Sequence, residues 1–193
     1  MRIVAVILAG GEGSRIGGGK PQRRLGGRPL LEQAVNQAGQ WSQDVAVAVR
    51  DERQAGGAKV RVIFDEPEID GPLGGLAAAL RFARKSDAEA VLSLAADMPF
   101  LPHNLGERLQ REIGGNLAAV AASGGRLHPV CGLWRAAALV RLPSYLATGK
   151  RSLKGFAESI GFIEVEWPAE PDDPFFNINT REDLQAAQSR LGP

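Results

Sequence analysis

The first twenty residues of the chain combine glycines and cations in a way that suits phosphate chemistry. The glycines and cations are Gly10, Gly11, Gly13, Arg15 and Lys20, and they follow a short apolar run. Glycines allow backbone N–H groups to approach phosphate oxygens closely, and the two cations would neutralise charge on a phosphoryl-transfer transition state. We therefore predict that this loop binds a phosphate-bearing ligand and that Arg15 and Lys20 are catalytic. A flexible turn with two solvated cations is the plain alternative.

Two common phosphate-binding patterns do not fit this loop. A dinucleotide-binding fingerprint needs a third glycine where Ile16 stands, and its acidic ribose ligand is also missing. A Walker A loop needs Ser or Thr directly after its lysine, whereas Pro21 follows Lys20. These mismatches argue against a dinucleotide-dependent oxidoreductase and exclude a P-loop NTPase.

A carboxylate suited to a metal ion, Asp97, directly follows a second apolar run at residues 90–95. Mg²⁺ is held in nucleotide sites by one or two carboxylates together with the substrate's phosphates, so a single well-placed aspartate is sufficient. Asp97 is therefore the predicted metal ligand and a catalytic residue. The alternative is a turn or helix-capping aspartate before Pro99.

A third candidate segment contains Asp65 and the glycine-rich turn at residues 71–75. The backbone of that turn could hold the base or the ribose of a nucleotide, and Asp65 would accept hydrogen bonds from that base or ribose. An ordinary acidic loop without a ligand explains the segment equally well. The sequence also offers His128, the pair Lys150-Arg151 and the segment at 176–180. Each of these fits a structural role as well as a functional one.

The elements that position these residues follow an alternating pattern. Strand-like runs occur at 3–8, 45–49, 60–64, 90–95 and 117–122, with helix-like stretches that include 29–39 and 75–85. Such alternation predicts βαβ units, and hence an α/β fold with a mostly parallel sheet and helices on both faces. The candidate residues follow strands, so we expect them at the carboxyl edge of the sheet, where such sheets bind ligands.

The pattern loosens beyond Gly124. Strands are predicted at 127–134 and 162–167, and helices at 135–146, 152–160 and 180–191, the last with Thr180 as its N-cap. No change of composition marks a second domain. We therefore predict one domain over residues 1–193, with a nucleotide-binding half at 1–123 and an acceptor-substrate half at 124–193.

Composition limits the partners and the compartment. Lys plus Arg number 23 against 22 Asp plus Glu, so no strong overall field favours nucleic acid or an anionic membrane. The single cysteine, Cys131, excludes an internal disulfide framework and a cysteine-rich zinc site. The N-terminal apolar run is too short for a signal peptide or a membrane span. We expect a cytoplasmic protein.

Six segments, in this order and spacing, resemble the molybdenum cofactor guanylyltransferases, the MobA family. They are Leu8-Ala-Gly-Gly11 with Arg15 and Lys20, Gly27-Arg-Pro-Leu30, Gly71-Pro-Leu-Gly-Gly75, Ala96-Asp-Met-Pro-Phe-Leu-Pro102, His128-Pro-Val130 and Asn177-Ile-Asn-Thr-Arg-Glu-Asp-Leu184. The likeness covers nearly the whole chain. The glycine loop alone is typical of the wider NTP transferase superfamily, and the later segments indicate this family.

The resemblance implies a Rossmann-like three-layer nucleotidyltransferase fold and the transfer of GMP from GTP to Mo-molybdopterin, with release of diphosphate and Mg²⁺ as cofactor. Together with the arguments above, it gives a nucleotide-binding set of Leu8, Ala9, Gly10, Gly11, Gly13, Lys20, Asp65, Gly71 and Asp97. The implied acceptor-substrate residues are His128, Arg151, Lys154, Asn177 and Asn179. The implied partners are cofactor-delivery proteins and acceptor apo-enzymes.

The chain departs from the family's usual pattern at two places. Gly19 precedes Lys20 where the family has aspartate, and Gln22-Arg23-Arg24 follows it where the family has a leucine pair. The second strand ends in Arg50-Asp51 where the family carries an asparagine. Three alternatives therefore stay open: a cytidylyltransferase of the same cofactor, a guanylyltransferase of cobinamide phosphate, and a non-catalytic nucleotide-binding regulatory protein.

Overall fold

The computed structural model describes residues 1–10, 23–56 and 58–191. The strands are β1 (Ile3–Leu8), β2 (Arg24–Leu25), β3 (Arg28–Pro29), β4 (Val45–Val49), β5 (Arg61–Phe64), β6 (Ala90–Ala95), β7 (Ala118–Ser123), β8 (Arg126–Arg135) and β9 (Phe162–Trp167). The α-helices are α1 (Leu30–Trp41), α2 (Pro72–Lys85), α3 (Leu105–Glu112), α4 (Leu142–Ala147), α5 (Leu153–Ile160) and α6 (Arg181–Arg190).

Seven of these strands form one sheet in the order β5-β4-β1-β6-β8-β7-β9. Its neighbouring strands are parallel except where β8 pairs with β6 and β7. The predicted α/β fold with a mostly parallel sheet is confirmed. The parallel strands end at one edge of the sheet, which we call the carboxyl edge.

Apolar layers cover both faces of the sheet, because the central strand β1 is apolar at every position and so presents apolar side chains to both faces. In β1, Ile3, Ala5 and Ile7 pack with α1 and α3 on one face, while Val4 and Val6 pack with α2 on the other. Full burial of an aliphatic side chain of this size contributes about 1.5–3 kcal/mol. Helices therefore lie on both faces, as predicted, and hold the strand ends in fixed positions.

A third, smaller core joins the two ends of the chain. Leu25 and Leu30 from the region of the β2–β3 hairpin pack with Ile178 and with Ala187 of α6. The guanidinium of Arg190 lies 4.4 Å from the ring centroid of Phe176 and 5.3 Å from that of Phe100. The C-terminal helix is thereby fixed to the hairpin that follows residues 11–22.

The predicted cap of that helix is confirmed. The hydroxyl of Thr180 accepts a hydrogen bond from the N–H of Asp183 at 3.0 Å, and the Asp183 carboxylate accepts one from the N–H of Thr180 at 2.7 Å. This reciprocal pair satisfies two backbone donors that the helix cannot satisfy itself.

The predicted single helix at 135–146 is wrong. Strand β8 continues to Arg135, a 3-10 helix follows at Ala136–Arg141, and α4 begins only at Leu142. Pro143 lies in the first turn of α4, where its missing N–H costs nothing, so a new helix starts there. Helix α3 was not predicted, although Leu105 and Leu109 share its buried face.

Strand β8, from the predicted acceptor half, lies between β6 and β7 of the predicted nucleotide half. The assignment of one half to each substrate stays a prediction. No helix within the described residues combines the length and the apolarity that a membrane crossing requires.

Candidate active site

The ends of β1 and β6 bring two of the predicted segments together. Leu8 pairs with Ala95 in the parallel register, and Gly10 and Asp97 each lie two residues beyond that pair. Adjacent strands are about 4.8 Å apart, so the two residues leave the sheet side by side. The N–H of Ala9 donates to the carbonyl oxygen of Ala48 at 2.8 Å, which holds the start of the loop against β4.

Asp65 lies one residue beyond β5, and its backbone N–H donates to the carbonyl oxygen of Val49 at 2.8 Å. Its side chain is 6% exposed, and its Oδ2 atom is 4.0 Å from Nε of Arg50. Its Oδ1 atom is buried without a hydrogen-bond partner. Burial raises the pKa of Asp65, and the guanidinium of Arg50 partly opposes that rise.

Gly10 explains why Asp65 belongs to the same site. A Cβ on Gly10 would overlap the Asp65 carboxylate and would lie 3.3 Å from Cγ of Arg50. Only glycine permits this close approach of the backbone to both side chains. The structure therefore brings the predicted residues Gly10 and Asp65 into contact, together with Arg50, which stands at the position of the departure from the family pattern.

The turn at residues 71–75 lies against Asp65 as the first turn of α2. Gly71 has φ 72° and ψ −167°, a conformation that is essentially restricted to glycine, and Pro72 then begins the helix. The N–H of Glu66 donates to the carbonyl oxygen of Gly74 at 3.2 Å. A Cβ on Gly75 would lie 3.2 Å from Oδ1 of Asp65, so this carboxylate faces the positive end of α2.

Asp97 and Asn177 come together near the end of β6, and both carry side-chain oxygens of the kind that hard cations prefer. The carbonyl oxygen of Asp97 accepts a hydrogen bond from the N–H of Ile178 at 2.9 Å, which brings the neighbouring Asn177 to the same strand end. Oδ1 of Asn177 is buried without a hydrogen-bond partner. The described residues contain no group of three or more His, Cys, Asp or Glu that could hold a metal. Such a sparse oxygen set fits a cation that is completed by substrate phosphates.

His128 lies near the start of β8, at the carboxyl edge of the sheet. Its Nε2 atom is 2.8 Å from Oγ of Ser123, which donates a hydrogen bond to Oδ1 of Asp173 at 2.8 Å. Its ring is stacked on Phe175 with 4.6 Å between centroids. Burial lowers the pKa of His128, which favours the neutral form of the ring.

The predicted acceptor cations occupy the same edge but do not contact His128. Arg151 donates to the carbonyl oxygens of Leu146 and Lys150, at 2.9 and 2.8 Å. Lys154 lies 3.9 Å from Glu158, within its own helix. Both side chains are exposed and lie near the N-terminus of α5. Because α5 leads into β9, which is parallel to β7, this helix begins at the carboxyl edge of the sheet.

Three contributing residues were not predicted: Arg50, Ser123 and Asp173. Ser123 could have been noticed as the polar residue that ends the alanine-rich strand β7. Asn179 was predicted for the acceptor, and its N–H donates to the Asp183 carboxylate at 2.8 Å. The predicted residues Gly11, Gly13, Arg15 and Lys20 lie outside the described part of the chain, so their roles stay predictions.

Comparison with known proteins agrees with this geometry. Residues 5–160 match the family model of the MobA-like NTP transferase domain. The chain is 39% identical to a molybdenum cofactor guanylyltransferase of Cereibacter sphaeroides over 193 residues, which cover 99% of this chain and 98% of that protein. It is 41% identical to a molybdenum cofactor guanylyltransferase of Rhodopseudomonas palustris over 192 residues, which cover 95% of this chain and 91% of that protein.

Solved structures with the same fold include nucleotidyltransferases. The molybdopterin-guanine dinucleotide biosynthesis protein A of Archaeoglobus fulgidus superposes with a TM-score of 0.79 and 27% identity, over 98% of each chain. The 4-diphosphocytidyl-2C-methyl-D-erythritol synthase of Anaerococcus prevotii superposes with a TM-score of 0.77 and 16% identity, over 100% of this chain and 96% of that one. At this identity the likeness shows the fold alone. The chain belongs to the MobA-like NTP transferase family and is a nucleotidyltransferase.

Proposed function

We propose that the protein transfers GMP from GTP to Mo-molybdopterin, which gives Mo-molybdopterin guanine dinucleotide and diphosphate. The observation that carries this proposal is the 39% identity, over nearly the full length, to a molybdenum cofactor guanylyltransferase. The meeting of Gly10, Asp65 and Asp97 along the carboxyl edge supports it, because these residues come from three strand ends that would surround one nucleotide.

In this reaction the terminal phosphate of the acceptor attacks the α-phosphorus of GTP in line, and diphosphate leaves. The second pKa of a phosphate monoester is about 6, so the attacking oxygen is largely ionised near neutrality and needs no general base. The chain's task is therefore to position the two substrates and to neutralise charge. We assign that charge neutralisation to Arg15 and Lys20.

On the nucleotide side, backbone groups of residues 8–10 would bind GTP, and Lys20 would bind its phosphates. Asp65 would accept hydrogen bonds from the guanosine, with the turn at Gly71 closing the same side. The close packing of Gly10 against Asp65 supports this arrangement, because it fixes the distance between the two parts of the nucleotide site.

We propose Mg²⁺ as the cation of this site, held by the Asp97 carboxylate and the amide oxygen of Asn177. The buried, unpartnered Oδ1 of Asn177 supports this choice, since a buried oxygen without a donor suits a ligand that supplies positive charge. When bound, Mg²⁺ would neutralise the negative charge that develops on the transferring and leaving phosphates.

On the acceptor side, His128, Arg151, Lys154, Asn177 and Asn179 would contact Mo-molybdopterin. Cofactor-delivery proteins and acceptor apo-enzymes remain proposed partners. We place the reaction in the cytoplasm, a choice that the free, buried thiol of Cys131 supports because reducing compartments keep thiols unpaired. No observation favours the cytidylyltransferase, the cobinamide-phosphate enzyme or the non-catalytic protein over this proposal.

The proposal is tested by diphosphate release from GTP with Mo-molybdopterin and Mg²⁺, in the wild type and in Asp97→Ala. We expect turnover in the wild type and a loss of at least about 100-fold in the variant, the effect typical of removing one key electrostatic contact. Asp44→Ala is the matched control, because Asp44 pairs with Arg2 on the exposed surface and should keep full activity. Equal rates in Asp97→Ala and the wild type would exclude the proposed role of Asp97.

A further inference from the structure

Three side chains on the acceptor side form a continuous chain of hydrogen bonds, which we call the His128 relay: Asp173, Ser123 and His128. Each of its two links is 2.8 Å long. Ser123 is 3% exposed and His128 is 7% exposed, so the links are shielded from water. The relay connects the ends of β7 and β8 to the segment that leads to Asn177.

The directions of these hydrogen bonds fix the position of one proton on His128. A carboxylate accepts hydrogen bonds and donates none, so the single hydroxyl proton of Ser123 points to Asp173. The oxygen of Ser123 can then only accept from the ring, and Nε2 of His128 must carry a hydrogen. In the neutral imidazole, Nδ1 is consequently left as a hydrogen-bond acceptor.

The surroundings keep His128 neutral and hold its ring in place. Burial lowers the pKa of His128 and Arg126 lowers it further, while the nearby Asp173 and Glu166 act in the opposite direction. The stacked ring of Phe175 fixes the ring plane, and the N–H of Phe175 donates to Oδ1 of Asp173 at 2.9 Å. The direction of Nδ1 is therefore set by the relay and by the stacking together.

We propose that Ser123 and Asp173 are positioning residues, which hold His128 as a neutral hydrogen-bond acceptor for the N–H-bearing edge of the acceptor substrate's heterocycle. This inference rests on the proposed function. A pterin carries amino and ring N–H groups that donate to Nδ1, whereas an ionised phosphate only accepts hydrogen bonds. His128 therefore contacts the ring of the acceptor, and the phosphate of the acceptor must be bound by other residues.

The protonation of His128 is tested directly by NMR of protein labelled with ¹⁵N-histidine. The chain has two histidines, so His103→Gln assigns both resonances. We expect the Nε2–H form of His128 in the wild type, and a shift of its Nδ1 resonance when metal-free molybdopterin is added. The opposite tautomer, or an Nδ1 resonance that saturating molybdopterin leaves unchanged, would overturn the proposal. This measurement needs neither turnover nor a variant of the relay.

Kinetics of relay variants test the consequence for the substrate. Ser123→Ala and Asp173→Ala should raise the KM for Mo-molybdopterin about tenfold, the effect of one hydrogen bond, and leave the KM for GTP within about twofold. Asp173→Asn is the conservative control, because its amide oxygen can replace Oδ1 as acceptor for both Ser123 and Phe175; it should stay near the wild type.

Three outcomes are distinguished by these measurements. An equal rise in both KM values would show a merely structural relay, and unchanged KM values in all variants would also overturn the proposal. A wild type that binds molybdopterin at His128 but releases no diphosphate would contradict the proposed function and not the relay. If the alanine variants do not fold, the NMR measurement on the wild type decides.

Discussion

Replacing Gly10 by alanine tests the close packing at Asp65, which we propose lies on the nucleotide side of the site. The new methyl group would overlap the Asp65 carboxylate and lie 3.3 Å from Cγ of Arg50. Asp65 has little room to yield, because its side chain is 6% exposed and its N–H is bound to the carbonyl oxygen of Val49. Either Asp65 or the end of β1 must therefore move.

The size of the effect follows from this overlap. Inserting a methyl group into a filled space costs about 1–3 kcal/mol of folding free energy. If the displaced Asp65 also loses one hydrogen bond between its carboxylate and the guanosine, about 1.5–3 kcal/mol of binding free energy is lost. The Kd for GTP should then rise about 10- to 150-fold.

Urea unfolding measures the stability of Gly10→Ala, and titration calorimetry measures its affinity for GTP. Gly39→Ala is the matched control: a Cβ there meets no atom within 4 Å, and Gly39 lies inside α1. Alanine should stabilise that helix by about 0.5–1 kcal/mol and leave GTP binding unchanged. Adding Asp65→Ala to Gly10→Ala removes the overlap. The double variant should therefore lose less unfolding free energy than the two single variants lose when their losses are added together.

The reasoning would be refuted if Gly10→Ala kept the stability of the wild type and bound GTP within about twofold of it. It would also be refuted if the stability effects of Gly10→Ala and Asp65→Ala were simply additive. Either result would mean that Gly10 and Asp65 do not share one packed space.

Three further predictions concern the fold. Thr180→Ala removes the cap of α6 and should lower the free energy of unfolding by about 1 kcal/mol in urea titrations; no change would contradict the capping role. Phe156→Ala, at a fully buried ring, should cost about 3–5 kcal/mol by the same method, whereas Val140→Ala, at a side chain that is 67% exposed, should stay within about 0.5 kcal/mol. Because the folded-state pKa of His128 lies below its ordinary value of 6.5, its stabilising effect is present above pH 6.5 and is lost as the pH falls through that lowered pKa. The stability of the wild type should therefore fall relative to His128→Gln below pH 6.5, and parallel curves would contradict the buried neutral histidine.

The sheet could be predicted from the sequence because its central strands β1 and β6 are almost continuous apolar runs. Every residue of these two strands but Leu8 is buried, and Ser93 is the one polar residue in them before Gly10 and Asp97. A ligand-binding residue that directly follows such a run is placed by the strand itself. This is why Gly10, Asp65 and Asp97 could be assigned to one edge without a structure.

The His128 relay could not be predicted in this way. Ser123 and Asp173 are 50 residues apart, and Asp173 lies in a proline-punctuated loop whose path depends on the packing of Phe175. No local period connects such residues. The predicted helix at 135–146 failed for a different reason, because one proline at 143 divided a stretch that was otherwise compatible with a helix.

Asn177 shows how tertiary packing can suggest a second role for a residue. Its sequence neighbourhood and the family resemblance placed it with the acceptor, but the hydrogen bond from Ile178 to Asp97 brings it to the end of β6. Only the paired backbone of two distant segments brings Asn177 to the end of β6, next to Asp97, the residue that we propose as a metal ligand.

Isotope transfer from labelled GTP tests the central claim most directly. With Mo-molybdopterin and Mg²⁺ present, label in the α-phosphate of GTP should appear in the dinucleotide product, and label in the γ-phosphate should appear in diphosphate. CTP labelled in the same positions should yield neither product. Release of diphosphate without α-label in a pterin product, or equal transfer from CTP, would contradict the assignment of this chain as a guanylyltransferase of the molybdenum cofactor.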